Sequence, residues 1–419
     1  MRSRRPITPQ TRLLAAALLG GALLVLSACS TKTPPPPSAA RQAEMHLEAG
    51  DAASALRSFD EALAAAPRSA ELLAGRAEAK LQLGDKPGAL ADFIAATELA
   101  PDSFAAWWGK SRVLLDDSRK RREALAALDQ ALRLQPEHVP ALARRGELRR
   151  RLRDYDGAQL DLEAALRLEP KVAEHHYALG ELWWARTDYT QALAAYTQAL
   201  TLDPSLAKAH GSSGDVLSRL GRYEAAERAF TEALRLRPEH TYYTIRRGYA
   251  RLMQDKFDAA QLDLDRAAQL SPNDAEVHHL RGRVLSEQKQ WQAAADAYGA
   301  ALARSPRFMT ALANRARCYN QLKRHDEALA DATAAIAVNP KHAPNYLPRA
   351  YAYLALKRHD EALADMNTYL GLRPSDPMGY RYRARAFRGL GREEDAKKDE
   401  AHARALTSSA AVEADPRSE

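Results

Sequence analysis

Residues 207–238 read AKAHGSSGDVLSRLGRYEAAERAFTEALRLRP, and the pattern of this stretch decides the fold. Lys208 to Leu220 carries helical spacing around Gly214. Gly221 interrupts it, and Glu224 to Leu236 resumes the period with Ala226, Phe230 and Ala233 on one face. Small residues where two helices cross let the backbones approach closely, and an aromatic ring fills the gap between them. Pro238 ends the second helix, because proline has no amide to donate and restricts the residue before it.

The same unit recurs on both sides. Pro67, Pro101, Pro136, Pro170, Pro204, Pro238, Pro272, Pro306, Pro340 and Pro374 follow one another at intervals of 34, 35, then 34 seven times. With the proline at position 32, eleven copies align, beginning near 36, 70, 104, 139, 173, 207, 241, 275, 309, 343 and 377. A period of this length marks a solenoid, in which each unit packs on its neighbours and the joined surface serves for docking. The length of 419 residues would otherwise suggest several domains. The ladder instead predicts one elongated array with no boundary in its middle, and a hydrophobic content of 46% suffices for its interior.

Position 8 of the unit reads Ala77, Ser111, Gly146, Gly180, Gly214, Gly248, Gly282, Ala316, Ala350 and Ala384 from the second copy on, and position 20 is alanine from Ala55 to Ala396. With an aromatic or aliphatic residue at 24 and alanine at 27, this pattern resembles the tetratricopeptide repeat over roughly residues 36–408. The resemblance implies an all-α, right-handed superhelical solenoid of about eleven helix-turn-helix units. Its concave wall would come mainly from the first helix of each pair, and its role would be non-enzymatic binding of protein or peptide segments.

Departures from the pattern are local. The third copy has an extra residue in the charged turn Asp116 to Arg122, which lengthens the loop without disturbing Ala124. In the tenth copy Pro344 suits a helix start, Pro348 falls a turn further in, and Tyr369 replaces the small residue at position 27, which predicts a local shift of geometry before the eleventh copy. The last copy has Glu400 at position 24 and the charged run Glu393 to Glu400, a surface suited to capping the array. The solenoid is expected to span 39–408, followed by a disordered tail over 409–419.

The amino terminus reads as a processing segment, residues 1–28. Arg2, Arg4, Arg5 and Arg12 precede the apolar stretch Leu13 to Leu26, which is short for a membrane span. Leu26-Ser27-Ala28-Cys29 resembles the lipobox of bacterial lipoproteins. That resemblance implies cleavage before Cys29, lipidation of Cys29 and, with Ser30 following, attachment to the outer membrane facing the periplasm. Several acyl chains give stable anchoring. Residues 29–38 include Pro34 to Pro37 and read as an extended tether, reaching about 25 Å. The other cysteine, Cys318, has no intramolecular partner and reads as a buried small hydrophobe.

A net charge of +7 raises nucleic acid as a partner, but the arginines recur at one repeat position and no basic and aromatic residues interleave, so no nucleic-acid partner is expected. Anionic headgroups or polysaccharide suit the charge better. Catalytic signatures fail on inspection. Gly109-Lys110-Ser111 lacks the earlier glycine of a phosphate loop, where Phe104 stands. His175-His176 and His278-His279 are adjacent helical pairs whose side chains diverge by about 100°. His325 and His359 substitute structurally within the repeat, and His138, His240 and His342 sit in the loop after the proline. No catalytic residue, metal ligand or cofactor is expected.

A partner is expected on the first helices, along a stripe at positions 2, 5, 9 and 12. That stripe carries Trp108 and Leu115 in the third copy, Tyr177 and Trp184 in the fifth, Tyr242, Ile245, Tyr249 and Leu252 in the seventh, and Leu347, Tyr351 and Leu354 in the tenth. The four apolar residues of the seventh copy predict an exposed patch that needs a partner. Charge also changes along the stripe. Glu71, Glu78, Glu147, Glu174, Glu181 and Asp215 lie early, offset by Arg112, Arg150 and Lys208. Arg283, Arg317, Arg381, Arg385 and Arg388 lie late against Glu276, so an acidic segment would prefer the last third. Asn314 sits where some relatives grip a terminal carboxylate, but Pro344 and Pro348 stand where the next basic residues are needed. Taken together, the sequence predicts an envelope lipoprotein that scaffolds assembly of a pilus, secretion channel or polysaccharide-export machine, with direct polysaccharide binding by the basic late groove as the alternative.

Overall fold

The computed structural model describes residues 38–413, with side chains through 407, so the expected leader, lipidation site and most of the tether lie outside the described residues. Twenty-two α-helices and two 3-10 turns follow one another, and no strand occurs among the described residues. The chain divides into two compact units, one ending at Leu99 and the other beginning at Ala100. The boundary between them falls near the junction of the second and third copies. The third copy is also irregular within itself, with Lys110 and Ala127 where most other copies carry arginine and aspartate.

The first unit holds α1 (Ala39–Glu48), α2 (Ala52–Ala65), α3 (Ala70–Gln82) and α4 (Lys86–Leu99). The second begins with α5 (Phe104–Leu115) and α6 (Arg121–Leu134), joined through the 3-10 turn Ser118–Lys120 that absorbs the extra residue, with Ala124 fully buried. It continues through α7 (Val139–Arg151), α8 (Tyr155–Leu168), α9 (Ala173–Ala185), α10 (Tyr189–Leu202), α11 (Ala207–Arg219), α12 (Tyr223–Leu236), α13 (Thr241–Leu252) and α14 (Phe257–Leu270). Next come α15 (Ala275–Glu287), α16 (Trp291–Arg304), α17 (Met309–Gln321), α18 (His325–Val338), α19 (Tyr346–Ala355), α20 (His359–Leu372), α21 (Pro377–Gly389) and α22 (Glu393–Glu413). From the second copy on, each regular first helix starts at position 1 of the sequence register, so the proline ladder locates the elements to the residue. The last helix runs past the boundary expected at 408. Adding residues to a helix already under way is easy, and the tail expected over 409–419 is helical to Glu413.

Close approach sets each pair. A Cβ added at Gly180 would lie 2.5 Å from Tyr196 Cε1, one at Gly214 2.7 Å from Phe230 Cε1, and one at Gly282 2.6 Å from Tyr298 Cε1. The ring at position 24 is thus seated on bare backbone at position 8. In the ninth and tenth copies, with Ala332 and Met366 at position 24, position 8 carries a methyl, Ala316 and Ala350, while Leu162 and Leu264 also lie against glycines, Gly146 and Gly248. In every copy but the third the turn passes through position 15 in the left-handed region, by Gly50, Gly84, Gly221 and Gly391 and, in six other copies, by non-glycines such as Thr187 at φ 62°.

The tenth copy departs as its prolines require. Its first helix opens as the 3-10 turn Ala343–Asn345 before α19. Pro348 cannot donate to the preceding turn, and its own carbonyl accepts from Asn320 Nδ2 at 2.8 Å. Tyr369 is fully buried because Gly379 in the next copy leaves it room: a Cβ there would meet its Cδ1 at 2.7 Å.

A second device, not foreseen from the repeat pattern, spans six of the pairs. Arginine at position 7 grips aspartate at position 23, sixteen residues on, in a two-pronged bridge: Arg76–Asp92, Arg145–Asp161, Arg247–Asp263, Arg315–Asp331, Arg349–Asp365 and Arg383–Asp399. The same guanidinium often reaches back to position 25 of the preceding copy, as from Arg76 to Asp60, Arg145 to Asp129 and Arg383 to Asn367. Burial disfavours ionisation of Asp92, but Arg76 and Lys80 outweigh it and hold the carboxyl below its usual range. Such forked pairs are strong, and losing one partner leaves a charge in the interior. Arg349→Ala is therefore expected to cost about 3 kcal/mol in urea unfolding, because Asp365 has no other cation, whereas Arg349→Met with Asp365→Leu should cost well under half of that. Equal losses would show that the pair contributes nothing specific.

Candidate interaction groove

The first helices α15, α17, α19 and α21 line a cleft of about 570 Å³, with Arg283, Asn314, Arg317, Tyr351 and Tyr382 among its walls and Met378 at its edge. These residues occupy positions 2, 6 and 9, and Glu287 and Gln321 add position 13. Steps of four, three and four residues keep to one helical face. The cleft thus adds positions 6 and 13 to the expected 2, 5, 9 and 12, of which Leu347 at position 5 and Ser286 and Asn320 at position 12 also line it. Positions 5 and 12 are rotated by about 100° from 6 and 13, which sets them deeper between neighbouring first helices.

That rotation explains where the expected anchors lie. Ile245 and Leu252 are interior, only 5% and 4% exposed, packed with Leu264, Val277, Leu280 and Val284. The apolar patch expected on the seventh copy thus reduces to Tyr242, which is 46% exposed, and one face of Tyr249, which packs partly against that cluster. Leu354 is likewise buried, and Leu115, Leu347 and Tyr351 are half-buried. Trp108 is half-buried and meets the His138 ring at 5.1 Å. Trp184 packs against the core around Val216 with Tyr189 at 5.3 Å, and Tyr177 lies under Lys208 Nζ at 4.4 Å. Arg317, Arg381 and Arg385 are exposed. Arg388 is paired with Glu393 and Glu400, which withdraws it from the groove. Sequence reasoning missed Tyr382 and the cleft face of Asn314's column, although both are legible once position 6 is placed on the stripe.

The charges at position 9 fall into two classes. In the second unit this column reads Arg112, Glu147, Glu181, Asp215, Tyr249, Arg283, Arg317, Tyr351 and Arg385. Its acids are satisfied from within. Glu147 accepts from Arg151 Nη2 at 2.5 Å, and Glu181 accepts from Tyr196 Oη at 2.7 Å and Ser212 Oγ at 3.1 Å. Asp215 accepts from Tyr242 Oη at 2.8 Å and Arg246 Nε at 3.0 Å; burial nevertheless pushes its carboxyl above the usual range. The late arginines differ. Arg283 rests over the Tyr249 ring at 5.6 Å, and Arg385 over Tyr351 and Tyr382 at 5.9 and 5.6 Å. Among the described residues neither they nor Arg317 forms an ion pair with a carboxylate.

No group of side chains suited to a metal ion occurs among the described residues, and no described helix is long and apolar enough to cross a membrane. Cys318 is buried beneath the cleft with its Sγ 3.5 Å from Ser286 Oγ, and burial pushes its thiol up. His279, beside Asn314 Nδ2 at 3.3 Å, is held neutral: burial, then the Arg283 charge, lowers its pKa to about 4. A histidine depressed in this way contributes stability that is complete above its unfolded pKa of about 6.5 and is lost as pH falls toward 4. Between those limits the thermal midpoint of the native chain should fall more steeply than that of His279→Gln; parallel slopes would contradict the assignment.

Comparison with curated proteins returns no match. Among solved structures, the chain is similar to the APC/C hetero-tetramer Cut9–Hcn1, with 16% identity, 83% of this chain and 75% of that one covered, and a TM-score of 0.49. It is also similar to a tetratricopeptide repeat protein from Parabacteroides merdae, with 19% identity, coverage of 59% and 97%, and a TM-score of 0.46. A third is YrrB, described as a TPR protein with an unusual peptide-binding site, with 25% identity, coverage of 44% and 95%, and a TM-score of 0.39. Overlaps of this size say nothing about the partners of the present chain. Tetratricopeptide repeat models match residues 46–113, then 114–158, 143–207, 213–275 and 279–346, and finally 343–376. With helix pairs in register along nearly the whole matched length, the chain belongs to the tetratricopeptide repeat family.

Proposed function

We propose that the chain is a non-enzymatic interaction scaffold, lipid-anchored at Cys29 in the outer membrane of a bacterial envelope and facing the periplasm, that holds a protein segment in the groove of its first helices and helps assemble an envelope machine. The repeat family serves typically as a protein-interaction scaffold. The observation that carries the reading is the cleft across α15, α17, α19 and α21, where half-buried tyrosines and unpaired cations meet at the positions the repeat itself leaves unconstrained. Amphipathic rings beside charged groups are the usual anchors of such surfaces. The lipobox-like Leu26 to Cys29 supports the anchor, which would supply location and local concentration. Direct polysaccharide binding by the same cations and tyrosines is the second reading, favoured by the Tyr351–Tyr382 pair at 6.4 Å.

Two measurements test this reading. A photoreactive residue at Met378, 44% exposed at the cleft, should give discrete protein adducts in intact cells, while the same residue at Leu262, 72% exposed on a second helix, should not. Equal labelling at both sites would contradict the groove. Cys29→Ser should move the chain from the membrane to the soluble fraction, and unchanged fractionation would contradict the anchor.

A further inference from the structure

The column at position 9 places Arg283, Arg317, Tyr351 and Arg385 on four consecutive first helices, one residue per helix. Neighbouring packed helices lie about 8–10 Å apart, which sets the spacing between successive members of this column. An extended peptide advances about 3.3 Å per residue, so side chains three residues apart match that spacing. We infer that the cleft of copies eight to eleven binds an extended acidic peptide segment whose carboxylates recur every third residue, with an aromatic or apolar residue in the place that faces Tyr351.

Three observations support this occupant. First, half-buried arginines at position 7 are neutralised within the fold, Arg349 by Asp365 and Arg383 by Asp399, and Arg388 is closed off by Glu393 and Glu400. Arg283, Arg317 and Arg385 share one recurrent groove-side position without a carboxylate from the fold, and a ligand carboxylate completes them. Second, the acids of the same column, Glu147, Glu181 and Asp215, are already occupied by donors from within the fold. They present no matching demand for a basic ligand, so the polarity of the groove points one way. Third, Arg385 is held over Tyr351 and Tyr382, which limits its rotamers and orients its fork before the ligand arrives. The Asn314 amide on the same face is placed to donate to a peptide carbonyl between the charged residues. A folded protein would need a broad flat surface, whereas a cleft one helix face deep admits a single strand. The inference rests on the groove reading above and narrows it to a ligand chemistry.

The test uses the full chain and a fluorescein-labelled dodecapeptide with Glu at its first, fourth and tenth positions, Phe at its seventh, and Ser or Ala elsewhere. Anisotropy should report saturable binding that weakens steeply with added salt. A peptide of the same composition with its glutamates contiguous should bind at least tenfold more weakly. Arg283→Glu, Arg317→Glu and Arg385→Glu should each weaken binding about tenfold, and the triple variant should lose it while keeping its helical circular dichroism, because the position 7 bridges are untouched. Equal binding of the spaced and contiguous peptides, or unaltered binding by the triple variant, would overturn the inference. So would stronger binding of polygalacturonate than of the peptide, which would transfer the cations to the polysaccharide reading. The Met378 adducts separate the two levels: adducts that persist in the triple variant refute the acidic ligand and leave the groove standing, whereas their absence from the native chain refutes the groove itself.

Discussion

Everything in this fold follows from how closely two helices of a pair can approach. The ring of Tyr196, Phe230 or Tyr298 lies against a glycine backbone with no room for one more carbon. Interiors are packed to crystal-like density, so an added methyl there is felt as strain of about 1–3 kcal/mol. That contact fixes the rotation of the first helix about its own axis. Once the rotation is fixed, position 8 faces its partner, positions 5 and 12 sit deeper between neighbouring first helices, and positions 2, 6, 9 and 13 are presented to the groove. The surface that can bind is thus the remainder of a packing problem.

Charge is distributed by the same geometry. Position 7 lies beside the second helix, and its arginine reaches a buried aspartate there, often with a second acceptor from the copy before. Position 9 lies two residues on, about 200° around the helix, and its arginine faces away from that aspartate. Two arginines of similar sequence context therefore do different things: one closes the repeat, the other is offered outward. The excess of basic over acidic residues in the whole chain comes mostly from Arg2, Arg4, Arg5, Arg12 and Lys32 near the amino terminus, so the basic character of the late groove is a matter of where charges are placed and not of their total.

Much of this was legible in the chain. The proline ladder placed helix starts to the residue, and Pro344 with Pro348 marked the one first helix that opens as a 3-10 turn. The division at Leu99 was not legible, because the period passes through that junction almost unchanged. The groove was half legible. Aromatics at position 5 or 12 look exposed when a helix is considered alone, and Ile245 and Leu252 became interior only once α15 was laid beside α13. The arginine and aspartate bridge had a signal, a spacing of sixteen residues repeated in six copies, but no single helix displays it, since its ends sit on different helices.

The proposed ligand recognition centres on the first helices of the late copies. Amide hydrogen exchange of the full chain, with and without the spaced glutamate peptide, tests this most directly. New protection is expected in α15, α17, α19 and α21, with α18, α20 and the first helices of copies four to six unchanged. Protection centred on the second helices, or on α7, α9 and α11, would contradict it.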